Sequence, residues 1–359
     1  MHSNSKELNT NSQENKMKKF ELVAELSKEF FGCKLFRIRA LISFSNVSKG
    51  DLGGWVEKEE CVDQSGDAWV SGDARVYGNA RVYGNARVYG NAQVYGDAQV
   101  YGNARVYGNA QVYGDAQVYG NAWVSGDAWV SGDARVYGNA WVSGDAWVYG
   151  NAWVSGDAQV YGNAWVSGDA RVYGNARVYG NARVYGNAQV SGDARVYGNA
   201  QVYGDAQVYG NAWVSGDAWV SGDARVYGNA WVSGDAWVYG NAWVSGDAQV
   251  YGNAWVSGDA RVYGNARVYG NARVYGNAQV SGDAHHITVS PIGSEGGFLT
   301  AFRQKDNSIV VGRGCFSGSI EEFEKAINAT HGDSKYAEQY KIVISLIKSR
   351  LEAVEQSND

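Results

Sequence analysis

Aspartates recurring at every third repeat unit are the first feature of this sequence that could do chemistry: Asp97, Asp115 and Asp133, with Asp205 and Asp223 as a second set. Carboxylates stacked at one corner of a coil would supply the oxygen ligands that calcium takes. Asparagine alternates with them at equivalent corners, so each carboxylate is read as solvated and no metal site is assigned. His285 and His286 could bind a metal as a pair, but two ligands make a weak site. Cys315 and His331 both lie in the tail with nothing to bring them together; a structural thiol and a helix-end histidine are the expected roles. Cys33, Cys61 and Cys315 are odd in number and far apart, giving neither a disulfide framework nor the spacing of a zinc site, and free thiols in a reducing compartment are expected. No catalytic, cofactor-binding or metal-ligating residue is assigned, and no cofactor is expected.

What positions these residues is a repeat. From Val70 to Val280 a valine stands at every sixth position, making 36 consecutive hexads without an intervening loop. Each reads Val, then Tyr or Ser, Gly, Asn or Asp, Ala, and Arg, Gln or Trp, as in Val76-Tyr77-Gly78-Asn79-Ala80-Arg81. Valine and its two neighbours form a short strand, and the period of two sends valine inward and both neighbours outward. Gly with Asn or Asp then turns a corner, because these residues tolerate left-handed dihedrals, and alanine is small enough to face inward beside the valine. A corner in every hexad closes a triangular coil of three hexads and gives about 12 regular coils. Stacked at roughly 4.8 Å they would make a rod on the order of 55 to 60 Å long. One coil buries too little apolar surface to offset its own ordering, so stability has to come from coil-to-coil contacts, as in other solenoids.

Reading the outward position before valine in every third hexad separates three faces. On the first, Trp123 stacks with Trp141 and Trp213 with Trp231, beyond a leading Trp69. On the second, Trp129, Trp147 and Trp165 form a ladder that Trp219, Trp237 and Trp255 repeat. The third places Trp153 between Arg135 and Arg171, and Trp243 between Arg225 and Arg261, where guanidinium and indole can stack. The ten tryptophans of the first two faces after Trp69 are the candidate ligand-binding surface, for a glycan or protein partner or for self-association. The competing reading is that they stiffen the rod as cross-strand pairs do. Residues 105–194 recur letter for letter as 195–284, a shift of five whole coils, so every residue returns to its own face.

The order aliphatic, two variable, Asn or Asp, small, variable is similar to the hexapeptide repeat of left-handed β-helix proteins, a family that includes acyltransferases and zinc carbonic anhydrases. The resemblance covers residues 67–284 and implies an all-β solenoid, a parallel β-helix wound left-handed; the handedness rests on the resemblance alone. The flanking segments Arg37-Ile38-Arg39-Ala40-Leu41, Gly50-Asp51-Leu52-Gly53-Gly54-Trp55-Val56 and Gly314-Cys315-Phe316-Ser317-Gly318 resemble those of uncharacterised hexapeptide-repeat proteins of phages and prophages. Enzymes of the family need a catalytic histidine, or three histidines around zinc. No histidine occurs between Ser3 and Ala284, no loop leaves the coils, and Lys and Glu are absent from Trp69 to Ala284. The expectation is a protein that is not an enzyme, with the acyltransferase reading set aside.

The ends bound the organisation. Residues 1–16 are polar and predict a disordered leader, with Met17 as an alternative start; residues 17–66 predict an N-terminal cap with strands at Phe20–Val23 and Lys34–Leu41 and with Leu22, Leu26 and Phe30 over the open coil. Val56 and Val62 keep the hexad step, and the frame then slips by two to reach Val70. Residues 285–359 predict a small α+β domain with strands at Ile287–Val289, Phe298–Arg303 and Ser308–Gly312. Ser319 with Glu322 marks the start of a helix running to about His331, and a second begins near Lys335 with Ile342, Leu346 and Ile347 as its apolar residues. A net charge of -6 without a basic block argues against nucleic acid, and the lack of a long apolar run argues against a membrane span and for the cytoplasm. The chain therefore reads as a structural or spacer rod of phage or mobile-element origin, with a Trp-ladder binding module and a polymer-forming scaffold as alternatives.

Overall fold

The computed structural model describes residues 17–282 and 285–351; the expected leader lies outside them. Strands β1 (Phe20–Phe30) and β2 (Cys33–Ala40) form an antiparallel hairpin, and β2 pairs antiparallel with β3 (Leu52–Val56). Short strands of two residues follow, β4 to β39, running from Trp69–Val70 to Gln279–Val280 with one strand for each hexad. Every third short strand pairs in parallel, which builds two sheets of 12 strands and a third of 15 that also holds β1, β2 and β3. Partners lie three hexads apart, as in Val106 with Val124. The repeat region is thus a three-sided parallel β-solenoid.

The slip in the frame appears as one wider turn. Val56 pairs with Val76 and Val62 bridges Val82, each two positions beyond the regular step, adding a turn to the regular coils. The segment 17–66 therefore divides into a hairpin that covers the end and a turn that belongs to the solenoid.

All the described hexad valines and alanines are buried in one continuous core. Between coils, Arg105 N–H donates to Ala122 C=O (2.9 Å), Tyr107 N–H to Val124 C=O (3.0 Å) and Asn109 N–H to Gly126 C=O (2.8 Å), and this set recurs along the rod. Corner glycine is required twice over. Gly126 has φ +67°, and a Cβ there would sit 2.8 Å from the Gly144 nitrogen of the next coil.

Apart from bonds exchanged inside the strands, this ladder runs one way, each N–H donating toward the C-terminal end. The first coil is left with carbonyl acceptors and the last with N–H donors, and both need partners. At the N-terminal end Lys19, only 2% exposed, sends its Nζ to the carbonyls of Ala68 (2.9 Å), Gly66 (3.2 Å) and Ser65 (3.4 Å). Burial pulls this ammonium down to about 8, against the opposing pull of Asp63 and Asp67. Arg37 Nη1 donates to the carbonyls of Gly53 (2.7 Å) and Gly72 (2.6 Å). Phe20 and Ile38 complete the cover, whereas Leu26, expected there, is exposed in the irregularity that shifts the β1–β2 register between Val23 and Ser27. Trp69, expected on the outer face, is buried between Phe20 (6.3 Å) and Phe44 (5.5 Å).

At the other end, β40 (His286–Ile292), β41 (Gly297–Arg303), β42 (Ile309–Arg313) and β43 (Phe316–Ser319) form an antiparallel sheet, backed by α1 (Ile320–His331) and α2 (Lys335–Leu351). Phe302 of β41 enters the solenoid core and meets Tyr275 edge-on at 5.1 Å. The Ser319 capping box is present, with Glu322 N–H donating to Ser319 Oγ (3.2 Å). The buried face of α2 is Ala337, Tyr340, Val343, Ile344, Ile347 and Leu351; Ile342 and Leu346, expected as apolar residues of this helix, are exposed, because the i, i+3, i+7 series that meets α1 and the sheet passes beside them.

The register makes a direct prediction. Excising residues 195–284 removes five whole coils, so a variant shorter by roughly 24 Å should still melt cooperatively by circular dichroism and scatter as a shorter rod. Excising one hexad, 195–200, keeps the valines in phase but rotates every later face by one side. Its melting temperature should fall, by roughly 2–4 °C for each kcal/mol of ladder packing lost; melting unchanged from the parent would show that the outward ladders contribute nothing.

Candidate functional site

The ten candidate tryptophans stand in the columns expected of them. Trp123 and Trp141 stack at 4.8 Å, Trp129 and Trp147 at 4.8 Å, and Trp147 and Trp165 at 5.2 Å. The second copy gives 4.8 Å for Trp213 and Trp231, 4.7 Å for Trp219 and Trp237, and 5.2 Å for Trp237 and Trp255, all within 9° of parallel. In such a stack each indole face is covered by the next ring, and the column shows solvent its edges. On the second face the ends of the column are closed as well: Tyr113 meets Trp129 edge-on (6.2 Å), and Arg183 lies over Trp165 (4.9 Å). Trp141 and Trp231 are the most open, at 46%, since a glutamine rather than a ring follows each, Gln159 and Gln249. On the third face Trp153 is held between Arg135 (5.3 Å) and Arg171 (5.0 Å), as expected.

Other outward groups are likewise engaged with their own kind. Tyr83, Tyr101, Tyr119 and Tyr137 stack at 4.7 to 4.9 Å. Tyr hydroxyls donate across columns to glutamine, as Tyr83 does to Gln99 (3.1 Å). Asparagine amides donate upward in runs that end at aspartate, which has no proton to pass on: Asn103 to Asn121 (3.0 Å), Asn121 to Asn139 (3.1 Å), Asn139 to Asp157 (2.9 Å). Asp97 and Asp205 each accept from the asparagine below, Asn79 (3.0 Å) and Asn187 (2.9 Å). Among the described residues no group of three or more His, Cys, Asp and Glu could hold a metal ion.

The scattered chemical groups are not brought together. His286 is buried in β40, while His285 Nδ1 lies 2.8 Å from Ser281 Oγ; burial, then Arg303, lowers the His285 pKa. His331 stacks on Tyr340 at 5.6 Å, and Cys315 is exposed in the turn before β43. Cys61 is buried, and burial pushes its thiol up to about 11, which makes it inert. One feature was not foretold by the sequence: a cleft of about 810 Å³ where the second tryptophan column meets the C-terminal sheet, lined by Arg273 and Arg313 among others. Its walls come from segments well separated along the chain, and no local motif marks it.

The repeat described as YdcK beta solenoid repeat matches in fifteen stretches, together residues 80–96, 98–115, 116–150, 158–204, 206–240 and 248–282, just over half of the sequence. The chain belongs to the YdcK beta-solenoid repeat family. No curated protein matches it. Among solved structures, a protein named as an acetyltransferase from Desulfovibrio desulfuricans G20 aligns over 74% of this chain and 75% of its own, at 11% identity and a TM-score of 0.28. The UDP-N-acetylglucosamine acyltransferase of Arabidopsis aligns over 76% and 95%, at 11% identity and a TM-score of 0.26. Superpositions this loose carry no inference about activity. Membership of the YdcK repeat family accounts for the coils and leaves the purpose of their outer faces to be argued from the side chains.

The tyrosine stacks predict alkaline sensitivity. Burial, and next the adjoining ring, pushes Tyr77 up to about 12, and Tyr95, Tyr179, Tyr185 and Tyr209 shift the same way for the same reasons. A phenol raised in the folded state keeps its proton where the unfolded chain has lost it, so its stabilisation is complete below about pH 10 and is lost as pH rises through 10 toward 12. Lys19, lowered to about 8, works the other way between pH 8 and its ordinary 10.5, but as a single group. Urea midpoints should therefore hold near pH 8 and fall between pH 10 and 11, with absorbance at 295 nm rising only on unfolding. A midpoint constant to pH 11 would mean that the rings are freely solvated.

Proposed function

We propose that this protein is a non-enzymatic rod, a structural spacer of the hexapeptide-repeat kind found in phages and prophages, presenting repetitive aromatic and arginine surfaces. The observation that carries this reading is the closure of the outer faces upon themselves: indoles stack on indoles, phenols on phenols and amides on amides along the regular coils. A surface arranged in this way supplies stiffness rather than a reaction centre. The absence of histidine between Ser3 and Ala284 supports the same conclusion, since acyl transfer on such a scaffold needs a general base. Free cysteines support a reducing compartment such as the cytoplasm, and among the described residues no helix is long and apolar enough to cross a membrane.

A second reading, a binding module for a glycan or protein, is favoured by Trp141 and Trp231, which stand open in matching positions five coils apart. A ligand spanning both would gain avidity. Indefinite end-to-end polymerisation is disfavoured by the covers at both ends, where Lys19 and Phe302 occupy the places a further coil would take.

Sedimentation velocity over a concentration series tests the spacer. The expected species is an elongated monomer or small closed oligomer whose frictional ratio drops when residues 195–284 are excised. Growth into ever longer species with concentration would replace the spacer by a scaffold, and acyl-CoA-dependent turnover by the purified chain would end the non-enzymatic reading.

A further inference from the structure

The two copies of the tryptophan ladder are identical in sequence but not in surroundings. In the first, Trp165 is followed by Arg183 and then by Gln201 in the next coil. In the second, Trp255 is followed by Arg273, and Arg273 is the last rung of its sheet. Its guanidinium lies over Trp255 at 4.8 Å, as Arg183 lies over Trp165 at 4.9 Å. Above it, however, the C-terminal sheet takes the place of a coil, and the Arg273 N–H turns to the Thr300 hydroxyl (3.4 Å). Between this last rung and the sheet lies the cleft of about 810 Å³, within the range of small-ligand sites.

Rod and sheet side chains lie close over the glycines of the cleft. A Cβ at Gly312 would sit 2.8 Å from the Tyr275 hydroxyl, and one at Gly297 would sit 2.7 Å from Arg313 Nη1. The Tyr275 hydroxyl donates to Ser317 Oγ (2.7 Å), tying the coil to β43. Arg313 is pinned from behind, Nε donating to the Tyr340 hydroxyl (3.0 Å) and Nη2 to Ile292 C=O (3.2 Å). Both charged lining residues, Arg273 and Arg313, are cationic, and among the described residues no carboxylate lines the cleft. The polarity of the ladder adds to this, since the last coil turns N–H donors toward its end. Amides of Asn253 and Asn271 and the rings of Phe298, which is 40% exposed, and Phe316 also line it.

From this we infer that the cleft binds a carboxylated oligosaccharide of the uronic-acid type. The two guanidiniums meet its carboxylates, the amides and hydroxyls pair with sugar hydroxyls in either sense, and the phenylalanine rings take the apolar face of a pyranose. This site lies at the C-terminal end of the rod and is not multiplied by the coils that precede it. This inference does not depend on the spacer reading, because a spacer with a terminal receptor and a rod of other purpose with the same receptor have the same cleft.

The duplication supplies its own control. The full chain should bind tetramers of galacturonate, glucuronate or mannuronate in titration calorimetry, less tightly as salt rises, while a neutral galactose tetramer gives no heat. The bound acid should also slow alkylation of Cys315, which lines the cleft and is exposed, whereas Cys61 is buried. Arg273→Gln should weaken binding by about tenfold or more, and the matched Arg183→Gln should leave it unchanged. Glutamine occupies that position in other coils, so neither change breaks the repeat. Cys315→Trp, outside the rod, should block the cleft with the melting temperature intact. The inference is overturned if none of the three acids binds, if the neutral tetramer or a tetraglutamate peptide binds as well, or if Arg183→Gln costs as much as Arg273→Gln.

Discussion

The whole molecule is governed by the hydrogen-bond ladder between coils. It sets one repeat distance along the rod, about the spacing of neighbouring strands, and any outward side chain meets its own equivalent at that distance. Flat groups suit it. Indole rings at 4.7 to 5.2 Å, phenols near 4.9 Å and amide pairs at 3.1 Å between donor and acceptor all follow from one backbone period. Outward positions of the coils are correspondingly restricted to Trp, Tyr, Arg, Gln, Asn, Asp and Ser, and lysine and glutamate do not occur from Trp69 to Ala284. A flexible ammonium or carboxylate on a long stem has no stacking partner to gain and a like charge to meet in the next coil. Glycine at the corners is the local condition for the ladder, since wherever a further coil lies above, a Cβ there would press on that coil's backbone.

Because the ladder has a direction, the two ends of the solenoid are chemically different. The N-terminal end presents carbonyls, and it is covered by cations, Lys19 and Arg37, placed by a hairpin. At the C-terminal end N–H groups of the last coil find acceptors, the Thr300 hydroxyl for Arg273 and His285 for Ser281, while Lys305 N–H donates to the Asn277 carbonyl. Burying Lys19 is costly in itself, as its lowered pKa shows, and three carbonyls sharing one ammonium offset that cost. The covers are thus matched to the polarity of the stack as well as to its shape.

The solenoid was legible because its cause is local and repeated. A valine at every sixth position yields strand, corner and face without any distant information, and the slip before Val70 could be read from the same frame. The columns of tryptophan and arginine followed by arithmetic. What was not legible depends on non-repeating segments meeting the rod. Trp69 has the same local sequence as its outward relatives, yet the cap hairpin lies over it. Strand β43, built mostly of Gly and Ser, has little intrinsic strand preference and exists through its pairing with β42. In α2 the apolar residues Ile342 and Leu346 outweighed the cues for the face that is buried. The cleft needs Arg273 of the last coil and Arg313 of the sheet in one place, which no spacing in the sequence declares.

Identical copies separate what a sequence does from where it stands. The two copies reproduce each other's stacking distances and even the 46% exposure of Trp141 and Trp231. Within the rod, then, the outer faces behave as a material with uniform properties. Arg183 and Arg273 share neighbours on one side and differ on the other, where one meets a glutamine rung and the other a sheet with its own arginine. A chain that lengthens by copying can extend its reach without disturbing either end, provided that the copies come as whole coils of three hexads. Specific recognition in such a molecule belongs at the junctions, because only there does a repeating surface face something that does not repeat.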